Sequence, residues 1–300
     1  MIKAMSKLSL VALSREPISE KLAFDLKDQV IKLGVTLHTV GGQISNGAYY
    51  SERWEASHEL NRVARENLRS IAAKFNSDLC FLHANFEPTD IKVLAMDMDS
   101  TLINIECIDE IADFTGKKAA VAQITEATMR GEITDFQESL RRRVALLEGV
   151  SVDVLEAVYR ERLQPNPGAA ELLAGANSRG IYTLLVSGGF TFFAEKLRLE
   201  LGFKQTQANT LEIINGKLTG KVLGEIVDGV AKAAYLDEAC RSLGCTKANA
   251  ITIGDGANDL IMMSGSGISI AYKAKPVVKE KADAAFDRVG LDAALILISK

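Results

Sequence analysis

Two aspartates that stand two residues apart end a short apolar segment of the chain. Asp97 and Asp99 follow directly on the apolar run Val93–Met96. Such a run predicts a buried strand that carries acidic side chains to its carboxyl edge, where open α/β sheets bind their ligands. An Asp-x-Asp pair alone is also typical of acidic loops that cap helices or face water. The interpretation therefore depends on what else the chain contains.

A second apolar run ends in a hydroxyl group and two glycines. Leu184–Val186 is followed by Ser187, Gly188 and Gly189, and then by a stretch with a helical pattern. Glycines at such a turn let backbone N–H groups approach a phosphate closely, and the hydroxyl adds one more donor. Ser187 could also be a simple helix cap.

A lysine and a third strand ending complete the set. Lys232 lies in the predicted helix 228–243, and the apolar run Ile251–Ile253 ends in the acidic segment Gly254–Asp259. A lysine is a compact cation that suits phosphate oxygens, although Lys232 could equally be a helix-surface residue. Acid, hydroxyl and acid at successive strand ends, with a lysine before the last, are the groups that hold Mg²⁺ and a phosphate monoester.

The order of these blocks resembles that of the haloacid dehalogenase-like phosphohydrolases, and within them the phosphoserine phosphatases. The resemblance rests on Asp97–Thr101, Ser187, Lys232 and Gly254–Asp259, together with the segment around Glu106, and it covers about residues 90 to 298. It implies a Mg²⁺-dependent phosphoserine phosphatase that performs the last step of serine biosynthesis.

The resemblance also implies a role for individual residues. It assigns catalysis to Asp97, Asp99 and Lys232. Metal binding is assigned to Asp97, Asp99 and Asp255, and support of the site to Thr101 and Asp259. The residues that it assigns to substrate binding are Glu106, Met129, Phe136, Arg143, Ser187, Gly188 and Asn258.

These roles make chemical sense. Asp97 would attack phosphorus and form an aspartyl-phosphate, while Asp99 would protonate the leaving alkoxide and later accept a proton from water. Glu106 would meet the ammonium group of phosphoserine, and Arg143 its carboxylate. Glu106 and Arg143 could also be ordinary surface charges of helices.

The pattern of elements divides the chain into two territories. Residues 1–85 alternate strand and helix in an α+β order that is similar to an ACT-like accessory domain, with a long helix predicted over 51–74. Residues 90–300 predict an α/β domain with a doubly wound, Rossmann-like parallel sheet. Within it, about 107–165 shows only helical patterning and predicts an inserted all-α cap.

Composition limits the partners and the compartment. The 300 residues carry a net charge of −4, and the basic cluster Arg141–Arg143 is too short to bind nucleic acid. No stretch approaches the ~20 apolar residues of a membrane span. The four cysteines form no CxxC pair, which favours reduced thiols in a cytoplasm. We expect a small-molecule substrate and no nucleic-acid or membrane partner, and a homodimer stays open.

Two other functions stay open at this point. One is a phosphatase or phosphotransferase that acts on another small phosphate monoester. The other is an amino-acid-sensing protein in which the ACT-like region binds a ligand and the phosphatase site is vestigial. The complete set of catalytic groups favours an enzyme.

Overall fold

A computed structural model describes residues 8–83, 86–130 and 132–299. The N-terminal region has the element order βαββαβ, which is a split βαβ arrangement. Its elements are β1 (Leu8–Ser14), α1 (Glu20–Ile31), β2 (Leu37–Ser45), β3 (Tyr50–Ala56), α2 (Arg62–Ala73) and β4 (Ser77–His83). The strands pair antiparallel in the order β2-β3-β1-β4. This is the predicted α+β class, and a ligand-binding ACT function remains a prediction.

The prediction of a long helix over 51–74 is wrong. The first part of that segment is strand β3, and only Arg62–Ala73 is helical, beginning after the cap residue Asn61. Charged residues between Ser51 and Lys74 favoured a helix, but β3 pairs with a strand on each side and buries Trp54 completely. Tertiary hydrogen bonds and burial of a large aromatic side chain here outweigh local helix propensity.

The remaining strands form a doubly wound sheet. They are β5 (Val93–Met96), β6 (Tyr182–Phe190), β7 (Gln205–Ile214), β8 (Lys217–Leu223), β9 (Ala250–Gly254), β10 (Ile268–Tyr272) and β11 (Ala284–Phe286). Their order is β11-β10-β9-β5-β6-β7-β8, parallel throughout except for the last pair. The last pair is a β-hairpin whose turn residues Asn215 and Gly216 both have positive φ, as a type I′ turn requires.

Helices provide the cap and cover the sheet. The cap consists of α3 (Cys107–Phe114), α4 (Lys118–Met129), α5 (Phe136–Ala145) and α6 (Val152–Glu161). The sheet is flanked by α7 (Ala169–Ser178), α8 (Thr191–Leu201), α9 (Gly229–Ser242), α10 (Leu260–Met263), α11 (Pro276–Lys281) and α12 (Ala294–Leu297). All residues of β5 and β9 are buried, which explains why these strands are apolar runs. None of the helices in the described ranges is long and apolar enough to cross a membrane.

The two regions share one continuous sheet. Strand β4 pairs antiparallel with β11, so the sheet has eleven strands within the described residues. The Asp78 carboxylate accepts N–H groups from residues 287, 288 and 289, at 2.8 to 3.0 Å. The Arg69 guanidinium donates to the Lys279 and Ala282 carbonyl oxygens, at 2.6 and 2.7 Å. The Tyr49 hydroxyl donates to Asp292 Oδ1 at 2.6 Å. Between the predicted regions 1–85 and 90–300, the described residues contain the 3₁₀ turn Pro88–Asp90.

Candidate active site

The carboxyl ends of β5, β6 and β9 bring the predicted catalytic groups to one place. These strands are neighbours in the sheet, so Asp97, Ser187 and Asp255 lie at the same edge. Lys232 comes from the first turns of α9, which begins after the cap residue Asp228. Strand ends fix the positions of the acids, and a helix provides the cation.

Lys232 is fully buried between two carboxylates. Its Nζ lies 2.8 Å from Asp97 Oδ1 and 2.7 Å from Asp259 Oδ1. Burial alone lowers the pKa of Lys232, but the charges of Asp259 and Asp97 raise it more, so the lysine stays protonated. The other oxygen of Asp259 accepts the N–H groups of Asp255 and Gly256. Asp259 therefore holds both the lysine and the loop that follows β9.

The segment after β5 forms a short irregular turn, Met98–Leu102, in which Ser100 has φ +58°. The Asp97 carboxylate accepts the Met98 N–H at 2.7 Å. Ser100 Oγ donates to Glu106 Oε1, also at 2.7 Å. Ser100 has a left-handed conformation, rare for a residue with a side chain, and its hydrogen bond links Glu106 to the turn that follows β5.

The environment raises the pKa of all three acids. Burial, followed by the charge of Asp259, raises the pKa of Asp97 well above its ordinary value, and Lys232 only partly opposes this. Burial and Glu106 raise the pKa of Asp99 to about 8. Burial and Asp259 raise the pKa of Asp255 to about 6, while the Thr101 hydroxyl, which donates to Asp255 Oδ1 at 2.9 Å, opposes the shift. Asp99 therefore carries a proton at neutral pH, as a general acid must.

The acids fit a divalent metal ion. One oxygen each of Asp97, Asp255 and Asp259 lies within 4.8 Å of the others. Carboxylates are the ligands that Mg²⁺ prefers. Both oxygens of Asp259 already accept hydrogen bonds, whereas in the described ranges the second oxygens of Asp97 and Asp255 accept none. The donor set thus matches a hard cation bound chiefly by Asp97 and Asp255.

A cavity of about 790 Å³ opens above these groups. Its walls contain nine of the residues that the sequence analysis assigned to the site. They are Asp97, Asp99, Glu106, Phe136, Arg143, Ser187, Gly188, Asp255 and Asn258. Lys232, Asp259 and Thr101 are completely buried beside it. The backbone of Met129 lies in α4, but its side chain is outside the described part of the structure. Ser187 Oγ accepts the Gly189 N–H at 2.8 Å, which leaves its own proton to donate to a ligand.

The cap contributes one cation to the cavity. Arg143 lines it, whereas the neighbouring arginines of α5 point elsewhere: Arg141 donates to Gln137, and Arg142 pairs with Glu138. Arg143 faces the negative charges of Asp109 and Glu106. The cavity therefore presents a guanidinium and carboxylates on its cap side, which suits a ligand that carries both signs of charge.

Sequence reasoning missed three charged residues of the cavity wall. Asp109, Asp228 and Lys275 line it. Asp109 lies in the segment around Glu106 that carries the resemblance, but it was assigned no role, and Asp228 and Lys275 belong to no such block. A helical turn after Glu106 could have indicated Asp109, because residues three apart share a helix face. No local signal marks Asp228 or Lys275, since both reach the cavity only through the packing of distant segments.

Several known proteins with similar sequences are described as phosphoserine phosphatases. Residues 94–264 match the family model of the haloacid dehalogenase-like hydrolases. A phosphoserine phosphatase of Polaromonas sp. (strain JS666) is 55% identical over 214 residues, which are 70% of this chain and 91% of the relative. A probable phosphoserine phosphatase of Schizosaccharomyces pombe is 46% identical over 78% of this chain and 79% of its own.

Solved structures agree with this comparison. The unliganded probable phosphoserine phosphatase of Vibrio cholerae superposes with a TM-score of 0.80 at 33% identity, covering 97% of this chain and 86% of that one. A hydrolase of the same superfamily from Salmonella enterica serovar Typhi gives a TM-score of 0.84 at 28% identity, covering 98% and 99%. Both similarities include the N-terminal region as well as the part that carries the cavity.

Proposed function

The chain belongs to the phosphoserine phosphatases of the haloacid dehalogenase-like hydrolase superfamily, and from this membership we propose that it hydrolyses O-phosphoserine to serine and phosphate. The observation that carries the proposal is the buried pair of Asp97 and Lys232 at the floor of a cavity whose cap side presents Glu106 and Arg143. The floor suits a phosphoryl group, and the cap side suits the two charges of an amino acid.

The first step assigns Asp97 as the nucleophile. Its carboxylate would attack phosphorus, forming the O–P bond of an aspartyl-phosphate as the bond between phosphorus and the serine oxygen breaks. Lys232, 2.8 Å away, offsets the negative charge that otherwise keeps a carboxylate and a phosphate dianion apart. A Mg²⁺ ion, when bound by Asp97, Asp255 and the backbone carbonyl of Asp99, would supply further positive charge at the phosphoryl group.

Asp99 would act as the general acid in the first step and as the general base in the second. With its pKa raised to about 8, it is protonated at neutral pH and can donate to the serine alkoxide as that group leaves. The resulting carboxylate can then accept a proton from the water that hydrolyses the aspartyl-phosphate. One oxygen of Asp99 is buried and has no hydrogen-bond partner among the described residues, so it is free to meet a reacting group.

The remaining residues would hold the substrate. The Ser187 hydroxyl, the Gly188 amide and Asn258 would bind phosphoryl oxygens, and Glu106 and Arg143 would bind the ammonium and the carboxylate. Phe136 and Met129 would line the apolar part of the pocket. In a cell, this reaction would complete serine biosynthesis in the cytoplasm.

A phosphate-release panel with and without Mg²⁺ tests the proposal. We expect phosphoserine to be hydrolysed in preference to sugar phosphates, and only with a divalent cation. Equal rates on sugar phosphates would remove the substrate assignment and keep the reaction class. Adding a small alcohol and measuring its phosphorylated product would reveal a phosphotransferase. The absence of any release would favour the sensing function instead.

A further inference from the structure

One hydrogen bond joins the cap helix α5 to Asp228, a residue of the cavity wall. Gln137 Nε2 in α5 donates to Asp228 Oδ2, the residue before α9, at 2.8 Å. In the described ranges, this is the only side-chain hydrogen bond between α5 and the core. We propose that the Gln137–Asp228 hydrogen bond is the latch that holds the cap closed over the site, and that both residues are positioning residues for the reaction.

The two ends of α5 are attached in different ways. At its C-terminal end the chain is bound to the β7–β8 hairpin by backbone hydrogen bonds, from Gly149 N–H to Leu218 O at 2.8 Å and from Val152 N–H to Gly216 O at 2.9 Å. At its N-terminal end, about 15 Å along a ten-residue helix, the attachment is the Gln137 side chain. Such an arrangement makes the hairpin end the hinge and the Gln137 end the side that opens.

The orientation of the Gln137 amide is fixed by a second contact. Arg141, one turn further along α5, donates to Gln137 Oε1 at 3.3 Å. Because the carbonyl side of the amide faces Arg141, its NH₂ group faces Asp228. The Gln137 amide is therefore already oriented on the cap before it contacts Asp228.

The same carboxylate begins the helix that carries the catalytic lysine. Asp228 Oδ1 accepts the N–H groups of Val230 and Ala231, at 3.0 and 2.9 Å, just before Lys232 in the chain. A Cβ atom at Gly229 would lie 2.6 Å from the Asn258 carbonyl oxygen, so this helix start also packs against the cavity wall without room for a side chain. Closing the latch thus engages the segment that positions Lys232.

Closure also brings the neighbouring cap residue onto the phosphate-binding strand end. A Cβ atom at Gly188 would lie 3.1 Å from Phe136 Cζ, so Phe136 packs closely on Gly188 in this closed state. Phe136 and Gln137 are consecutive, and each contacts one of the two core segments that would hold the phosphoryl group. The latch proposal rests on the proposed function only for the choice of substrate.

The test places a like charge opposite Asp228. In Gln137→Glu, the new carboxylate repels Asp228 but can pair with Arg141 on the same helix, so α5 remains folded. We expect faster hydrogen–deuterium exchange in the segment around Gln137, and a KM for phosphoserine raised about tenfold with kcat changed less than about threefold, the size expected for one charge-assisted hydrogen bond. Gln137→Met, which removes the donor without adding charge, should also make exchange around residue 137 faster and raise the KM.

A rescue variant separates the latch from a general effect of charge. When Gln137→Glu is combined with Asp228→Asn, the introduced amide can donate its NH₂ group to the introduced carboxylate while its oxygen still caps α9. Exchange and KM should then return towards wild type. Gln123→Glu makes the same chemical change on an exposed face of the cap and is the matched control. Exchange and KM unchanged in both Gln137 variants, or no recovery in the double variant, would overturn the proposal.

Exchange measured without substrate keeps this test independent of the proposed function. A wild-type protein that releases no phosphate from phosphoserine would refute that function, whereas exchange near Gln137 would still decide whether the latch exists.

Discussion

Lys232 Nζ lies 2.8 Å from Asp97 Oδ1, and neither side chain is more than 8% exposed to solvent. A buried cation in contact with a strand-end carboxylate is costly to assemble, because both groups lose their hydration. The pair is retained where positive charge is needed beside an anionic reaction centre.

Replacement of Asp97 by Asn should remove turnover. Asparagine fills the same space but cannot form an acyl phosphate, so we expect phosphate release to fall by at least about 10³-fold. Steady-state release, together with intact mass after an acid quench during turnover, measures this. Asp90→Asn, in the exposed 3₁₀ turn, is the control. A rate within about tenfold of wild type would rule out the covalent step.

Replacement of Lys232 by Met should destabilise the fold as well as remove activity. It leaves the Asp97 and Asp259 carboxylates buried beside each other, and breaking a buried ion pair costs about 3–5 kcal/mol. Urea denaturation of the metal-free protein gives the free energy of unfolding. Lys21→Met breaks a surface pair with Asp25 and should cost less than about 1 kcal/mol. Equal losses in both variants would contradict the role of burial.

The stability of the metal-free protein should fall as the pH rises. The folded chain holds protons on Asp99 up to about pH 8 and on Asp255 up to about pH 6, whereas both ionise near 3.8 when unfolded. Their contribution is therefore complete below the unfolded value and is lost as pH rises through the folded values. We expect a lower free energy of unfolding at about pH 8.5 than at about pH 5 in a chelator, and recovery at the higher pH when Mg²⁺ is added.

The variant Asp99→Asn isolates the contribution of Asp99 to this pH dependence of stability. A hydrogen bond to Asp283 raises the pKa of His83, which also makes the protein less stable as the pH rises. The pH dependence of the wild-type protein alone therefore does not identify Asp99 as the cause. Asp99→Asn should show a smaller decrease than wild type over the same pH interval. An identical decrease in the two proteins would show that Asp99 is not the group responsible.

Replacement of Glu106 by Gln should act on recognition of the amino group. We expect kcat/KM for phosphoserine to fall about 10- to 100-fold, because one charge-assisted contact is lost. An aryl phosphate, which has no ammonium group, should be affected far less. Glu126→Gln, on an exposed cap position, provides the comparison. Equal losses on both substrates would deny Glu106 this role.

Replacement of Asp78 by Ala should destabilise the whole chain. Its carboxylate accepts three backbone N–H groups of the segment after β11, so the substitution removes the acceptor of all three, of which the Val289 N–H is buried. We expect a loss of about 3 kcal/mol and one cooperative unfolding transition. Asp28→Ala, on the exposed face of α1, should change little. Two separate transitions in wild type would show that the N-terminal region is energetically independent.

The sequence was sufficient for the elements whose signals are local. The strand ends before Asp97 and Asp255, and the polar break at Ser187 within the last four residues of β6, follow from apolar runs that change to polar residues. The hairpin follows from Asn215-Gly216. The structure brings the predicted catalytic residues together because neighbouring parallel strands end at one edge.

Features set by distant contacts were not accessible in this way. Strand β3 is charged and locally suits a helix, and only its pairing on both sides and the burial of Trp54 make it a strand. Gln137 and Asp228 are 91 residues apart and of residue types common on any surface. Their contact depends on where the cap lies, which no short segment specifies.

The continuous sheet has a practical consequence for anyone who shortens this protein. A fragment that begins at β5 would leave β11 with an open edge and the amides of residues 287–289 without an acceptor. Unpaired strand edges promote association between copies. We therefore expect a fragment cut at the apparent boundary between the two regions to aggregate on expression.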